Sequence, residues 1–457
     1  MSKISDFIGK SARDNVTQAI AKAKENDHYH ALLNLTEARA LERADAVDRG
    51  EITGRLAGVP FVVKDNFLAY GAPTTAASKI LENFNAPLQA TAVEKLEAEG
   101  AICIGKANLD AFAHGGSTEN SAFGPTLNAY DESRVAGGSS GGSAVVTALD
   151  IVPFALGSDT GGSIREPASF NGVVGVKPTY GTVSRYGVVA MASSTDVIGV
   201  FTTNVSDAEL VMDIMSGRDP KDTTTLPDFF TPISSITPGR KIGLIKEFMT
   251  DDVDEEVLAR TNEYIERLRS TGHTVEEVSL PIVHHTLAMY YIIVPAEVSS
   301  NLARYDGIRY GRRAENVSSL AELYGRSRDE GFMPENKRRI MIGSYVLSSG
   351  FFDAYYLQAQ KARTLLVNEL NTLFESYDML IGPVVPTPAF KLGENTSDPI
   401  KMYLADIMTV PASLAGIPAI SVPAGKTTAG LPVGIQIMGP RRSDAELLAL
   451  ARSMEAI

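Results

Sequence analysis

Residues 137–163 read GGSSGGSAVVTALDIVPFALGSDTGGS. Two Gly/Ser clusters, each rich in hydroxyls and in flexible backbone N–H groups, are joined by a segment too apolar to be a linker. Glycine reaches backbone conformations that other residues avoid and lets a ligand approach the main chain closely. Two such clusters fixed to one buried segment have the character of a built site.

The flanking sequence supplies a frame for it. Residues 54–63 (GRLAGVPFVV) are apolar and β-branched, a buried strand that ends at Lys64, Asp65 and Asn66. Residues 90–99 read as a short helix and 101–105 (AICIG) as a strand. This β–α–β rhythm runs to about residue 205 and predicts an α/β fold, with a central mixed or largely parallel sheet and helices on both faces. Upstream, residues 13–48 carry Val16, Ile20, Leu32, Leu33, Leu35, Ala38, Leu41 and Ala44 at helical spacing, which predicts one or two amphipathic helices. Residues 217–240, rich in Pro, Asp, Thr and Gly, read as a long surface connection. A strand (241–245), a helix (253–269) and a strand (273–280) follow, then a mostly helical region at 285–377 and strands at 379–383, 417–423 and 431–439.

Bulk properties narrow the function. The chain has 457 residues, 44% hydrophobic and 21% charged, which is ordinary globular composition with ample material for a core. A length prior of about three domains is soft, because large α/β enzymes fill one domain of this size. The net charge of −13 argues against a nucleic-acid groove, although a partner can hold nucleic acid for an acidic chain. The one cysteine, Cys103, lies in an apolar run and reads as an inert buried thiol. The N-terminal residues lack the apolar stretch of a signal peptide, and no run of 18 apolar residues occurs, so a cytoplasmic protein is expected.

Several chemistries lack their motifs. There is no GxxxxGK[ST], no GxGxxG opening a helix, no CxxC pair and no HExxH, so neither a phosphate loop nor a zinc site is expected. A Ser–His–Asp hydrolase would draw its base from His28, His30, His114, His273, His284 or His285. Residues 137–141 (GGSSG) fit a GxSxG elbow, but that motif needs a strand directly before it, and residues 128–136 (NAYDESRVA) are polar and charged.

A different nucleophile fits better. Ser163 follows Gly161 and Gly162, and acyl transfer needs N–H donors aimed at the developing oxyanion. The backbone amides of Thr160, Gly161, Gly162 and Ser163 are placed to supply them. With no credible histidine, the base is a lysine desolvated enough to be neutral. Lys64, at the end of an apolar strand, is that candidate. Its neutralisation at pH 7 costs roughly 4.6 kcal/mol, within reach of burial. The plain alternative is a lysine that ends a strand and pairs with Asp65. These considerations do not choose between Ser139 and Ser140 as a third member.

GVPFVVKDN (58–66), GGSSGGSA (137–144) and GSDTGGSIREPASFNGVVGVKPTYG (157–181) together resemble the amidase signature family. The spacing agrees, with 75 residues from Lys64 to Ser139 and 24 from Ser139 to Ser163. The resemblance implies the amidase signature fold, one large domain over residues 1–457 with a helical N-terminal segment (about 1–50), a signature core (about 55–205) and a helical pocket region (about 285–377). It implies Ser163 as acyl nucleophile, Ser139 as a bridging serine preceded by a cis peptide bond, and Lys64 as base.

Outside the shared signature, residues 115–128, 337–366 and 390–425 are similar to the glutaminase subunits of tRNA-dependent amidotransferases. That likeness implies a glutaminase that passes ammonia to its sister B and C subunits in a heterotrimer. The B subunit would hold the tRNA and use ATP and Mg to activate Glu-tRNA(Gln) or Asp-tRNA(Asn); no cofactor is implied in this chain. Free glutamine carries a carboxylate and an ammonium, so its pocket wants one cation and one anion. Arg339, with its bidentate fork, and Asp406 match those positions, with Arg338 as the neighbouring alternative. Tyr290 matches a pocket tyrosine, with Tyr291 adjacent. Two departures stand out: Asn171 where the family often has cysteine, and Ser413 where it often has asparagine. Both are expected to lie clear of the triad. The competing readings are a stand-alone amidase for another small amide and a non-catalytic scaffold.

Overall fold

The computed structural model describes residues 1–227, 229–396 and 399–455. One eleven-stranded mixed sheet runs through the chain. Its strands are β1 (Leu32–Leu35), β2 (Pro60–Lys64), β3 (Ile102–Ala107), β4 (Phe154–Asp159), β5 (Val174–Lys177), β6 (Val197–Thr202), β7 (Lys241–Ile245), β8 (Thr274–Val278), β9 (Met379–Pro383), β10 (Ala419–Lys426) and β11 (Pro432–Met438). They lie in the order β1-β3-β2-β4-β6-β5-β10-β11-β9-β7-β8. The β3-β2-β4 group and the β9-β7-β8 group are parallel, and the remaining pairings are antiparallel.

The pleat sorts the apolar runs between two cores, because successive side chains of a strand point to opposite faces. Phe61 and Val63 of β2, Cys103 of β3, and Phe154 and Leu156 of β4 enter one core. Val62, Ile102, Ile104 and Ala155 enter the other. The second core is covered by α1 (Ala12–Glu25) and α2 (Glu37–Asp48), the first by α3 (Thr91–Ala98). Both faces being buried explains why these strands read as unbroken apolar runs rather than as alternation.

The two Gly/Ser clusters bracket a helix and a strand. Ser139 and Ser140 precede α4 (Gly141–Ala148), β4 follows, and α5 (Arg165–Phe170) begins two residues after Ser163. No strand directly precedes Ser139, so the GxSxG elbow is absent. The chain continues through α6 (Val205–Met215), which joins the first core, then an irregular connection to β7 and α7 (Glu255–Ser270). The region between β8 and β9 holds α8 (Thr286–Asn301), α9 (Leu320–Gly331), α10 (Pro334–Val346) and α11 (Leu357–Phe374). After β9 come α12 (Pro399–Leu404) and α13 (Val410–Ala415), and α14 (Asp444–Glu455) closes the order. Among the described residues no helix is long and apolar enough to cross a membrane.

One element departs from expectation. Leu32, Leu33 and Leu35 fit helical spacing, yet they form β1, an edge strand antiparallel to β3 with Leu32 opposite Ala107 and Leu35 opposite Gly105. Three leucines in four residues satisfy either period, and the free edge of β3 decides between them.

Phe61 and Phe154 are register partners in β2 and β4, with stacked rings 5.1 Å apart. Phe154→Ala is expected to cost about 3–5 kcal/mol of stability. Removing the ring of exposed Phe123 should change stability by about 0.5 kcal/mol at most. Denaturant midpoints of the two variants check the contrast.

Candidate active site

The parallel register of β2 and β4 sets Val63 beside Leu156, so the C-terminal ends of these strands place Lys64 next to Ser158. Ligand sites of α/β sheets lie at such ends. The Lys64 amine is fully buried and hydrogen-bonds Ser139 Oγ (2.7 Å), Ser158 Oγ (3.0 Å) and the Ser158 carbonyl (3.3 Å). Asn66 Nδ2 also donates to Ser158 Oγ at 3.0 Å. Burial pushes the amine down from its ordinary range to about 7, against the pull of Asp110, Asp159 and Asp196. Lys64 does not pair with Asp65. That carboxylate meets the buried Lys106 of β3 at 3.0 Å.

The structure distinguishes the two serines. Ser139, whose peptide bond with Gly138 is cis, is the one on Lys64. Ser140 instead donates its backbone N–H to the Ser163 carbonyl (3.2 Å) and its hydroxyl to the Ser158 carbonyl (3.2 Å). It thereby ties the first cluster to the second. Nothing in the sequence singles out Ser158; its signal is the strand register.

The loop carrying Ser163 is clamped from both ends. Asp159 and Arg165, both fully buried, form a two-pronged ion pair (Nη2–Oδ1 3.0 Å, Nε–Oδ2 3.1 Å). Burial would raise the Asp159 carboxyl, yet Arg165 and Lys177 hold it below its ordinary value. Arg165 also donates to the Thr409 carbonyl (2.8 Å) and to Ser413 Oγ (2.9 Å), and Ser413 donates to Asp159 Oδ1 (3.2 Å). Thr409 in turn donates to the Gly161 carbonyl at 2.6 Å. With the carbonyl held, the N–H groups of Gly161, Gly162 and Ser163 have no acceptor among the described residues. Gly161 is required by contact: a Cβ there would sit 2.7 Å from the Tyr290 ring.

A cavity is lined by Asp110, His114, Tyr291, Arg339, Tyr403 and Asp406, among others; Lys64, Ser139 and Ser163 are not in its lining, but Asp110 donates its backbone N–H to the Ser139 carbonyl and Thr409 bridges the Asp406 and Gly161 carbonyls. Both arginines border it: Arg339 is buried, while Arg338 is partly exposed and pairs with Glu335. Arg339 Nε donates to Glu335 Oε1 (2.9 Å), its guanidinium lies 5.1 Å from the Tyr291 ring, and its buried Nη1 has no partner among the described residues. Tyr291 donates to Asp406 Oδ2 at 3.1 Å. Burial raises the Asp406 carboxyl to about 7, opposed by Arg339 and Tyr291. Both tyrosines are therefore used: Tyr290 packs on Gly161, and Tyr291 faces the cavity.

Two buried residues here escape sequence reasoning. Glu166 lies behind the cavity wall, 3.2 Å from where a Gly116 Cβ would stand. Its carboxyl is raised by burial and by Asp406, and neither oxygen has a partner. His114 is set in the wall itself. The two family departures are structural, and one lies nearer the site than expected. Asn171 joins the Ala129 amide and the Ala136 and Pro167 carbonyls, whereas Ser413 completes the Asp159–Arg165 clamp.

The amidase family's sequence model matches residues 14–448. The chain is 51% identical over 455 residues to the A subunit of glutamyl-tRNA(Gln) amidotransferase from Gloeobacter violaceus, covering 98% of this chain and 93% of that protein. It is 53% identical over 415 residues to the corresponding subunit from Lactiplantibacillus plantarum, covering 90% and 85%. The crystal structure of the A subunit of glutamyl-tRNA(Gln) amidotransferase from Thermotoga maritima superposes with a TM-score of 0.83 at 41% identity, over 99% of this chain and 94% of that one.

Unfolding returns the Lys64 amine to about 10.4, so between about pH 7 and pH 10 the unfolded chain holds a proton that the folded chain does not. Stability therefore falls as pH is lowered through that window and levels off below it. Between pH 9 and pH 7 this contribution is on the order of 2 kcal/mol. Lys64→Met removes it, so the denaturant stability of the variant relative to the parent should rise by that amount on acidification. A constant difference would show that Lys64 is not desolvated as described.

Proposed function

This chain belongs to the amidase family, and from that premise we propose that it is the glutaminase component of a tRNA-dependent amidotransferase. The observation that carries the chemistry is the fully buried Lys64 amine, held to Ser139 with no carboxylate in contact, beside a Ser163 loop with free backbone amides. Half-identity to the glutaminase subunits of such complexes over nearly the whole chain favours this reading over a stand-alone amidase.

A neutral amine has two N–H groups and one lone pair. The Ser158 carbonyl accepts one N–H and Ser158 Oγ the other, which leaves the lone pair for the Ser139 hydroxyl. Lys64 takes that proton as Ser139 takes the proton of Ser163, whose Oγ attacks the side-chain amide carbon of glutamine. The amides of Thr160, Gly161, Gly162 and Ser163 hold the oxyanion. The relay then returns a proton to the amide nitrogen, the C–N bond breaks and ammonia leaves. Water attacks the resulting Ser163 ester through the same relay and releases glutamate. Arg339 binds the α-carboxylate, Asp406 with Tyr291 binds the α-ammonium, and Tyr290 supports Gly161.

The ammonia serves the sister B and C subunits. The B subunit holds the tRNA and uses ATP and Mg to activate the glutamyl group of Glu-tRNA(Gln), or the aspartyl group of Asp-tRNA(Asn), for amidation. A net charge of −13 suits a chain that leaves tRNA binding to a partner.

Ser163→Ala and Lys64→Ala are each expected to lower glutamate release by the co-expressed complex by about 10³-fold or more. Full activity in both variants rules the mechanism out. In the parent complex, kcat/KM for glutamine should rise with pH up to about 7 and level off above it, because protonated Lys64 cannot accept the Ser139 proton.

A further inference from the structure

His114 is fully buried and borders the same cavity as Arg339 and Asp406. Its protonation is dictated by a neighbour. The Met333 N–H donates to Asn336 Oδ1 (3.2 Å), which sets the orientation of that amide. Asn336 Nδ2 then donates to the Ala111 carbonyl (2.8 Å) and to His114 Nδ1. An amide nitrogen only donates, so His114 Nδ1 is an acceptor and a neutral ring carries its hydrogen on Nε2. Burial, reinforced by nearby Arg339, disfavours the imidazolium. The result is a neutral Nε2–H donor, buried and without a partner among the described residues.

Buried donors are satisfied in the great majority of folded proteins, and an exception asks for an acceptor. Here there are two exceptions on one cavity, since Arg339 Nη1 also lacks one. Asn336 and Arg339 lie three residues apart in α10, hence on one helix face. One turn of helix thus sets the His114 ring and presents the guanidinium beside it. Of the acids that line the cavity, Asp110 accepts the Thr118 and Asn120 amides, Asp406 accepts Tyr291, Glu335 accepts Arg339 and Tyr403, and Glu119 accepts the Gly393 amide through Oε1 while its Oε2 has no partner among the described residues. The unmet need on the donor side is for an anion.

We infer that His114 is a specificity-determining residue, donating its Nε2–H to the α-carboxylate of the amino-acid substrate beside Arg339 Nη1. A neutral second donor strengthens the hold on a carboxylate without placing another positive charge next to Arg339. This rests on the glutaminase reading.

The test uses the co-expressed complex and two ligands, glutamine and 4-aminobutanamide, which is glutamine without its α-carboxylate. His114→Met removes the donor at similar volume, with His114→Leu as the second apolar replacement if Met does not fold. His114→Gln keeps an acceptor for Asn336 and a donor for the cavity. The apolar variant should raise KM for glutamine about tenfold with kcat little changed. The KM or competitive inhibition constant of 4-aminobutanamide should not move, and His114→Gln should restore most of the loss. An unchanged glutamine KM in the apolar variant, or equal losses for the two ligands, overturns the inference while leaving the glutaminase reading intact. No glutamate release by the unsubstituted complex overturns that reading and this inference with it.

Discussion

Taking the Lys64 amine out of water is the costly arrangement around which the signature core is built. The strand ends that bury it surround it with neutral oxygens, those of Ser139 and Ser158, and not with a carboxylate. Three acids act on it electrostatically, but each is engaged elsewhere: Asp159 with Arg165, Asp196 with Thr160 and the Met191 and Ala192 amides, Asp110 with the Thr118 and Asn120 amides. Lys106, equally buried on the adjacent strand, shows the alternative. It meets Asp65 directly and forms an ion pair. Lys177 shows that burial alone makes no site. Its amine is also pushed down to about 7, yet among the described residues its hydrogen-bond partners are the Pro178 and Ile417 carbonyls, with no hydroxyl to deprotonate.

The second constraint is the tie between segments remote in sequence. Arg165 reaches Asp159 at one end of the Ser163 loop and Thr409 and Ser413, 244 and 248 residues further along the chain. Thr409 lies three residues after Asp406 and returns a hydrogen bond to Gly161. The backbone that presents the free amides and the wall that carries the acid of the cavity are therefore one mechanical unit. A buried ion pair broken on one side leaves an uncompensated charge, so this clamp resists partial loosening and keeps the amides pointed outward.

The parts of this architecture that depend on local pattern were legible in the sequence. Strands buried on both faces announce themselves as apolar runs, and β2 and β3 did so: they lie at the ends of the runs read as strands at 54–63 and 101–105. β1 did not, because a short edge strand of leucines has no signal of its own apart from the strand it pairs with. At the site, Lys64 and Ser163 could be argued from residue type, but Ser139 against Ser140 came from the family resemblance alone, and the structure separates them by their partners, Lys64 for Ser139 and the Ser158 carbonyl for Ser140. Tyr290 and Tyr291 proved not to be alternatives, since consecutive helical residues face different neighbours and both neighbours matter here. His114 and Glu166 were out of reach. Their roles depend on α10 and on the Gly116 turn, which meet them only in the folded chain.

The charge balance of the cavity bears on what it selects. Arg339 is matched by Glu335, and burial favours the neutral forms of Asp406, Glu166 and the His114 ring. Among these groups little net charge remains, but the cavity has donors unpaired among the described residues on one side and acids that accept charge readily on the other. A zwitterion satisfies both sides and adds no net charge to a poorly solvated space. A neutral amide of the same size fills the volume and leaves the Arg339 Nη1 and His114 Nε2 donors unpaired. Sites built on buried hydrogen-bonding groups reject analogues lacking the complementary group far more strongly than apolar pockets reject a missing methylene. On the proposed function, selection for an α-amino acid follows from these donors, and the serine–lysine relay has no need to discriminate among the amides that reach it.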